Sequence, residues 1–479
     1  MKEGYVPKDQ RKKILLMADD IRLPSGVGNV GKDIVINTCH RYNWVNVGGA
    51  MKHPDKGKRF DLSQDTNTES GIEDSSVVVY PTDGYGDPNL LRNIINIEKP
   101  DAIFLITDPR YWVWLFQMEN EIRKKIPIAY LNIWDDYPTP AYNKGFYDSC
   151  DALLGISKQT VNINKLVLRD KAEGKIIDYV PHGISTKYYF PINEGDEQYP
   201  NLLEFKKQLF GSRDIEFALL FNSRNIRRKS IPDTLLAWKY FIDQLPKEKA
   251  DKCALVLHTE PVSDHGTDLP TVKNYLFGED YENIIFSTSR IPVHLMNLLY
   301  NSCDAQILLS SNEGWGLSLT EALLVGNPII GNVTGGMQDQ MRFEDENGNW
   351  FTPNAEIPSN HTGKYKKHGE WAFPVFPTGR SLQGSPQTPY IWDDRCKPED
   401  AAEQIMNVYM EGVTGRTERG LKGREWALSE EAGFTAKAMG GRVIKNLDKL
   451  FETWTPRENY YIIPANEYKA DVVNHKLLY

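Results

Sequence analysis

Short apolar runs recur along the chain, each followed by a polar or helix-like stretch, and this alternation constrains the fold more than any other feature. A strand of a parallel sheet is buried on both faces and is therefore continuously apolar, and the stretch after it supplies the crossover helix. In the first half, the runs lie at 14–18, 77–80, 102–106, 128–133, 152–156 and 176–180. In the second half, they lie at 217–221, 254–258, 283–287, 305–309 and 328–331. The pattern predicts α/β architecture with parallel sheets and helices on both faces.

A linker-like segment at 191–200, rich in Pro, Asn, Gly and acidic residues, separates the two series of runs. The length of 479 residues also exceeds what one hydrophobic core usually supports. We predict an N-terminal Rossmann-like domain over 1–195 and a C-terminal Rossmann-like domain over 196–454, with the tail 455–479 returning to the first domain. Two doubly wound domains of this kind face a central cleft.

Helices and loops are predicted between these strands. The stretch 347–389 contains many Gly, Pro and aromatic residues without a clear period, which predicts long loops. The helical segments are predicted at 231–244, 292–301, 317–325, 398–412 and 424–448.

The composition argues against several classes of protein. No apolar run approaches the roughly 18 residues that a membrane span requires, and the run at 14–18 is too short for the core of a signal peptide. The formal net charge of -9 argues against a protein that coats nucleic acid nonspecifically. The five cysteines are widely spaced and show no zinc-ligand pattern. We therefore expect a cytoplasmic protein with reduced cysteines.

The most specific motif runs from Ser311 to Pro328, where a predicted strand leads through a glycine loop into a helix. The free N–H groups and the positive dipole end of such a helix form a natural phosphate site. Glu313 precedes the helix, where its carboxylate can reach a sugar. Glu321 lies about two turns along the helix, where a carboxylate can accept hydrogen bonds from ribose hydroxyls.

This segment resembles the E-x7-E signature of glycosyltransferase family 4 and its relatives, which are retaining enzymes of the GT-B fold. The spacing from Glu313 to Glu321, the glycines between them and the small residues that follow all match the signature. The resemblance implies a donor site for a nucleotide sugar. Its residues would be Gly26, Gly28, Arg224, Lys229, Glu313, Gly314, Trp315, Gly316, Leu317 and Glu321.

Upstream, the segment 221–235 resembles the family's strand, loop and helix in which an Arg, and a Lys five residues later, hold the donor diphosphate. Fixed cations stabilise the negative charge that builds up on a leaving diphosphate. We assign this catalytic role to Arg224 and Lys229. For Arg227 and Arg228, an exposed basic loop is an equally good interpretation.

In the first half, Gly26 and Gly28 lie in a loop that resembles the family's glycine-rich loop after the first strand. Asp108 and Asp135 follow predicted strands, at places where family members carry a His or Asp near the reacting sugar, and both are catalytic candidates. His182 lies in a Pro-His-Gly turn that resembles the family's Pro-Asn-Gly turn at the hinge between domains. A structural role for His182 is an equally good interpretation.

The resemblance covers most of residues 13–450 in order and spacing. It implies transfer with retention of the anomeric configuration, a donor that is commonly a UDP-sugar, and no metal or other cofactor. The pair Asp135-Asp136 also lacks the spacing of the metal-binding D-x-D motif in the other major glycosyltransferase fold.

The first half would bind the acceptor with basic and aromatic residues, for which the candidates are Lys56, Lys58, Arg59, Arg110 and Trp112. A place in the core is an equally good interpretation for the aromatic residues, and a solvated loop is the alternative for Lys56, Lys58 and Arg59. Such a surface can hold sugars or nucleic acid, because aromatic rings stack on bases and cations contact phosphates. The whole sequence, including the segments 22–28 (Arg-Leu-Pro-Ser-Gly-Val-Gly) and 108–112 (Asp-Pro-Arg-Tyr-Trp), also resembles glycosyltransferases of large tailed bacteriophages, some of which glycosylate 5-hydroxymethylated pyrimidines in phage DNA. Our hypothesis is therefore a double-stranded DNA acceptor, modified in the host cytoplasm.

Two alternatives stay open. One is a glycosyltransferase of polysaccharide or lipid-linked glycan synthesis, although the sequence offers no Lys-rich amphipathic helix for an anionic membrane. The other is a non-catalytic protein that binds nucleotide sugars. The sequence leaves the oligomeric state, the donor base and the donor sugar open.

Overall fold

The computed structural model describes residues 4–289, 291–355, 357 and 360–458. Its first sheet has the strand order β3-β4-β2-β1-β5-β6-β7-β8, and β3 alone runs antiparallel to its neighbour. The strands are β1 (Lys12–Asp19), β2 (Tyr42–Gly49), β3 (Phe60–Asp61), β4 (Val77–Pro81), β5 (Ala102–Ile106), β6 (Ile128–Asn132), β7 (Ala152–Gly155) and β8 (Ile176–Tyr179). The helices around them are α1 (Gly26–Thr38), α2 (Ser63–Ser70), α3 (Pro88–Glu98), α4 (Val113–Gln117), α5 (Glu119–Ile122), α6 (Lys144–Asp148) and α7 (Lys158–Leu168).

The second sheet is parallel, with the order β11-β10-β9-β12-β13-β14. Its strands are β9 (Phe217–Asn222), β10 (Cys253–His258), β11 (Ile284–Phe286), β12 (Ala305–Leu308), β13 (Ile329–Asn332) and β14 (Ala372–Val375). An antiparallel hairpin follows, formed by β15 (Gly379–Ser385) and β16 (Thr388–Arg395). The helices are α8 (Tyr199–Phe210), α9 (Ile231–Ile242), α10 (Lys247–Ala250), α11 (Leu269–Phe277), α12 (Val293–Asn301), α13 (Leu317–Val325), α14 (Met337–Met341), α15 (Pro398–Met410), α16 (Gly412–Leu428) and α17 (Ala436–Thr453).

The apolar runs of the sequence form the buried strands of both sheets. In β1, every residue from Ile14 to Ala18 is at most 1% exposed, and Phe217 to Phe221 in β9 is buried to a similar degree. Helices cover both faces of each sheet, so these strands contact apolar side chains on two sides. The carboxyl ends of the strands in both sheets, and the loops that follow them, line a shared cleft.

Several parts of the fold differ from the sequence prediction. The helical segment predicted at 424–448 is interrupted, because α16 ends at Leu428 and α17 begins at Ala436. Strand β2 was not predicted, because Asn46 interrupts its apolar pattern. Asn46 is fully buried, and its amide nitrogen donates to the carbonyl of Leu16 at 3.2 Å. The predicted long loops at 347–389 were also wrong in part, since β14, β15 and the start of β16 lie there. β15 is mostly exposed, so it carries no apolar run to identify it.

The return of the chain to the first domain starts at α17, before the predicted tail at 455. Helix α17 packs on α1, where Gly440 lies so close to Asn37 that a Cβ atom would be 2.7 Å from the Cβ of Asn37. Asp448 accepts hydrogen bonds from Arg41 at 2.9 Å and from Tyr42 at 2.6 Å. The rest of the predicted tail, 459–479, lies outside the described residues.

The carboxyl group of Asp33, on α1, should make the free energy of unfolding depend on pH. Burial raises the pKa of Asp33 to about 7, although Lys32 opposes the rise. A carboxyl group whose pKa is raised by folding stabilises the protein fully below its unfolded pKa, and this stabilisation is lost as the pH rises through 7. We expect Asp33→Asn to increase the free energy of unfolding at pH 8 by up to about 4 kcal/mol, because the pKa rises from its ordinary value of 3.8 to about 7, and to change it little at pH 4. Urea unfolding at both pH values measures this, and an equal change at both would contradict it.

Candidate active site

A cleft of about 650 Å³ lies between the carboxyl ends of the two sheets. One wall consists of the segments that follow β1, β6, β7 and β8. The other consists of the segments that follow β9, β10, β11 and β12, together with the first turns of α13. In open α/β sheets, the crevice outside the carboxyl ends of the strands is where ligands bind. This cleft is therefore the candidate active site.

Glu313 is the centre of the charged cluster in the cleft. Its Oε2 accepts hydrogen bonds from the Nζ atom of Lys229, from Arg228 at 3.1 Å and from the hydroxyl of Ser310 at 3.1 Å. Burial opposes ionisation of Glu313, but the positive charges of Arg228 and Lys229 lower its pKa to about 2. The side chain is thus a carboxylate at neutral pH, held in one place by three donors.

Arg228 connects the two walls. One of its terminal nitrogens lies 3.1 Å from Glu313 on the second-domain wall and 4.0 Å from a carboxylate oxygen of Asp135 on the first-domain wall. Burial raises the pKa of Asp135, and the positive charge of Arg228 opposes that rise. The sequence did not separate Arg228 from Arg227, but the structure places Arg228 in the cleft and leaves Arg227 exposed and outside its lining. Arg228 is thus a functional candidate that the predicted set of site residues lacked.

The remaining predicted donor-site cation, Arg224, lies in the lining of the cleft and is exposed. Gly26 also lies in the lining, on the opposite wall. Gly28 does not. A Cβ atom at Gly28 would approach the carbonyl oxygen of Leu23 to 2.6 Å, and its N–H group donates to Ser25 at 3.0 Å. The predicted donor contact of Gly28 is corrected to a packing role in the turn that begins α1.

The glycine loop before α13 brings backbone to the cleft. A Cβ atom at Gly314 would lie 2.8 Å from the carbonyl oxygen of Ile133, so only glycine permits the two walls to approach so closely here. Gly316 has a φ of +88° and begins the turn into α13 at Leu317. Trp315 is only 2% exposed, and its indole N–H donates to Thr320 at 3.0 Å. Its predicted donor contact is therefore limited to the backbone.

Glu321 lies in the middle of α13, about one turn after the glycine loop. Its carboxylate lines the cleft and accepts hydrogen bonds from the hydroxyl groups of Tyr189 and Tyr300. Burial raises the pKa of Glu321, and both tyrosines oppose that rise. The two carboxylates of the motif thus occupy different surroundings, since Glu313 is paired with cations and Glu321 with neutral hydroxyls.

We expect Glu321→Ala to weaken UDP binding by roughly 10- to 100-fold, because hydrogen bonds to a charged acceptor contribute about 1.5–3 kcal/mol. Titration calorimetry with UDP measures the change. Glu418→Ala, at an exposed helical position, is the matched control and should bind UDP as the unaltered protein does. Equal affinity of both variants would contradict a ribose contact by Glu321.

Three of the predicted site residues follow β5. Trp112 is fully buried, and its indole N–H donates to the carbonyl of Ile106 at 3.0 Å, so it belongs to the core. Asp108 caps the short 3-10 turn 109–112 and accepts hydrogen bonds from Arg110 at 2.6 and 2.8 Å. A further nitrogen of Arg110 donates to Thr388 at 2.9 Å. None of the three lines the cleft. The buried indole of Trp112 cannot contact an acceptor, which corrects its predicted role, whereas the catalytic role of Asp108 and the acceptor-binding role of Arg110 stay predictions.

The predicted basic loop has acidic partners. Lys56 pairs with Asp83 at 2.9 Å, Lys58 with Asp55 at 2.7 Å and Arg59 with Glu98 at 3.4 Å. All three cations are about half exposed or more, and none lines the cleft. The local charge of this loop is therefore much smaller than its lysines and arginine alone suggest.

His182 lies in the lining of the cleft, at the end of the segment that follows β8. Its Nδ1 atom is buried and has no hydrogen-bond partner among the described residues. Burial lowers the pKa of His182 to about 4, although Glu313 opposes this effect. The imidazole is thus neutral at pH 7. The sequence left a structural role open for His182, but its position is in the site.

Neither a metal site nor a membrane span was found in the part of the chain that the structure describes. There, no group of three or more His, Cys, Asp or Glu residues is arranged to hold a metal ion. Metal independence stays a prediction. No described helix has the length and apolar character that crossing a membrane requires.

The second-domain wall of the cleft lies in a part of the chain that is similar to a known family. Residues 219–359 match the family described as glycosyl transferases group 1. The chain is 38% identical over 66 residues to trehalose synthase of Pyrococcus horikoshii, covering 13% of this chain and 16% of that protein. It is 24% identical over 198 residues to alpha-monoglucosyldiacylglycerol synthase of Acholeplasma laidlawii, covering 41% and 46%. The chain thus spans less than half the length of either curated relative.

Solved structures resemble the chain over nearly its whole length. Sucrose-phosphate synthase of Thermosynechococcus elongatus has a TM-score of 0.63 at 14% identity and covers 92% of this chain and 100% of its own. Anabaena HepE in complex with UDP and glucose has a TM-score of 0.61 at 14% identity, with the same coverage. At such identities the likeness shows the fold, and the predicted GT-B fold is confirmed. The match to glycosyl transferases group 1 lies in the second domain of that fold.

Proposed function

We propose that this protein is a retaining glycosyltransferase that transfers a sugar from a nucleoside diphosphate sugar, with UDP as the nucleotide, to an acceptor hydroxyl. The observation that carries the proposal is the cluster of the buried Lys229 and Glu313 with the partly exposed Arg228, before the N-terminus of α13. These residues, and Glu321, all lie within the stretch that matches glycosyl transferases group 1.

The cluster suits a diphosphate leaving group. Breaking the bond between the sugar and the diphosphate leaves negative charge on the phosphate oxygens, and Lys229 and Arg228 are fixed cations at that place. The backbone N–H groups at the start of α13 add further donors for phosphate. Glu321, about one turn along α13, would accept hydrogen bonds from the ribose. The donor would thus lie along the wall formed by the second domain, with its sugar near Glu313.

The reaction that follows is a front-face displacement. The bond between C1 of the sugar and the phosphate oxygen breaks, and the acceptor oxygen bonds to C1 from the same face. The proton of the acceptor hydroxyl moves to the phosphate oxygen that leaves, so no protein base is required. Glu313, as a carboxylate, would position the sugar and stabilise the positive charge that develops on it.

For the acceptor, we propose a 5-hydroxymethylated pyrimidine in phage DNA. The resemblance to phage glycosyltransferases supports it, as do the exposed cations Lys56, Lys58 and Arg59. Because each cation has an acidic partner, DNA phosphates would compete with those carboxylates for it. A lipid-linked acceptor is the second candidate, favoured by the 24% identity to a glucosyldiacylglycerol synthase.

A mass-spectrometric screen tests these proposals. The purified protein is incubated with a panel of nucleotide sugars and with DNA that contains cytosine, 5-hydroxymethylcytosine or 5-hydroxymethyluracil, and in parallel with diacylglycerol-based lipids. A sugar mass on hydroxymethylated DNA alone, absent with Glu313→Ala, supports the DNA acceptor. A sugar mass on the lipid replaces it with the second candidate. If no nucleotide sugar gives either transfer or slow donor hydrolysis, that result contradicts the glycosyltransferase activity itself.

A further inference from the structure

The β15–β16 hairpin lies outside both sheets, beyond the residues that match the family, and contacts both walls of the cleft. Toward the first domain, the backbone N–H of Trp392 donates to the carbonyl of Tyr137 at 2.7 Å. The hydroxyl of Tyr142 donates to the carbonyl of Tyr390 at 2.8 Å. The hairpin therefore joins the second domain to the segment that follows β6 and carries Asp135.

The same strand, β16, also holds the loop that carries Glu313. The backbone N–H of Asp394 donates to the carbonyl of Ser311 at 2.8 Å. The side chain of Asn332 donates both to the carbonyl of Asp394 at 2.8 Å and to that of Ser310 at 2.9 Å. The hairpin and the residues just before Glu313 thus form one hydrogen-bonded unit.

Asp393 extends this unit to the charged cluster. Its carboxylate accepts a hydrogen bond from the side chain of Asn312 at 3.0 Å. The carbonyl oxygen of Asn312 in turn accepts one from Arg228 at 2.7 Å, and the same nitrogen of Arg228 reaches Glu313 at 3.1 Å. Asp393 and Asn312 are 7% and 4% exposed, so water competes little for this bond.

We propose that Asp393 is a positioning residue for glycosyl transfer, which fixes Arg228 and Glu313 through Asn312. This inference rests on the proposed function. Asp393 does not line the cleft, so it acts on the donor only through residues that do. A carboxylate forms a stronger hydrogen bond than a neutral acceptor, and a small displacement of catalytic groups has a large effect on the rate. Substrate binding, which depends on many groups, is affected less.

The test compares D393A and D393N in steady-state donor cleavage and transfer. We expect D393A to lower kcat by roughly 10-fold with the donor KM within about twofold. D393N keeps an oxygen that accepts from Asn312, and we expect its kcat within about threefold of the unaltered protein. Asp214→Ala, at a side chain that is 80% exposed, is the matched control and should leave both constants unchanged.

A second variant keeps the test independent of the folding of D393A. N312A removes the same hydrogen bond from the other side, and its kcat should fall to a similar extent. The double variant should be no slower than either single one, since one interaction is lost in all three. Unchanged kcat in folded D393A or N312A, a loss in KM alone, or equal impairment of D393N and D393A would overturn the positioning role. An unaltered protein that cleaves no donor would overturn the proposed function as well.

Discussion

Replacing Lys229 by methionine is expected to lower kcat for donor cleavage by roughly 10²- to 10³-fold, the usual effect of removing one fixed donor that stabilises charge in a transition state. Methionine has nearly the same length and keeps the packing of this buried position. What is lost is the positive charge beside the leaving diphosphate. Release of UDP from a UDP-sugar, followed by coupled assay, measures the rate.

Arg227 supplies the matched control for Lys229. It lies two positions earlier in the same 3-10 turn 227–229, but it is exposed and outside the lining of the cleft. Arg227→Met removes one positive charge from the same loop and should leave kcat within about twofold, because solvent screens an exposed charge. Similar losses in both variants would show that the overall charge of the loop, rather than the buried cation, determines the rate.

Glu313→Gln is expected to lower the rate of transfer by about 10³-fold while leaving UDP bound at least as tightly. The variant loses the carboxylate that would face the sugar, and it releases Lys229 and Arg228 from their ion pairs with Glu313. The freed cations can then bind the diphosphate more strongly. Titration calorimetry with UDP and single-turnover transfer separate the two effects.

The pH dependence of the transfer rate tests whether Glu313 is ionised in the unaltered protein. The pKa of Glu313 is about 2 and that of His182 about 4, so neither group changes its charge between pH 5 and 9. Burial lowers the pKa of Lys229 and Glu313 opposes that effect, so the comparison is made below neutrality. The ratio of transfer rates between the unaltered protein and Glu313→Gln should stay constant from pH 7 to pH 5. A ratio that falls towards pH 5 would show that Glu313 is protonated there, contrary to its pairing with two cations.

The architecture could be predicted largely from local pattern. Parallel strands buried on both faces are apolar along their whole length, so runs such as 102–106 and 217–221 identify them without further information. Strands β2 and β15, which were not predicted, lack such a continuous apolar run. β2 contains the buried Asn46, whose polarity is compensated by hydrogen bonds to distant backbone, and the mostly exposed β15 has no apolar run.

The site was predictable where neighbours in the chain are also neighbours in space. Glu313 and Glu321 both lie in the cleft because one loop and helix carry them. The prediction was wrong for Trp112, whose indole turns into the core, and the structure adds that Arg110 and Asp108 bind each other. Residue type alone does not distinguish a cation that faces a ligand from one that holds a neighbouring acid.

The sequence by itself determined most of the parallel strands, the glycine loop before α13 and the spacing of its two glutamates, because each depends on residues that are close in the chain. Only the tertiary structure decided that Arg228 rather than Arg227 faces the cleft and that Asp393 reaches the loop of Glu313 from about 80 positions away. Burial and charge pairing depend on distances through space, which the packing of two domains and a hairpin sets.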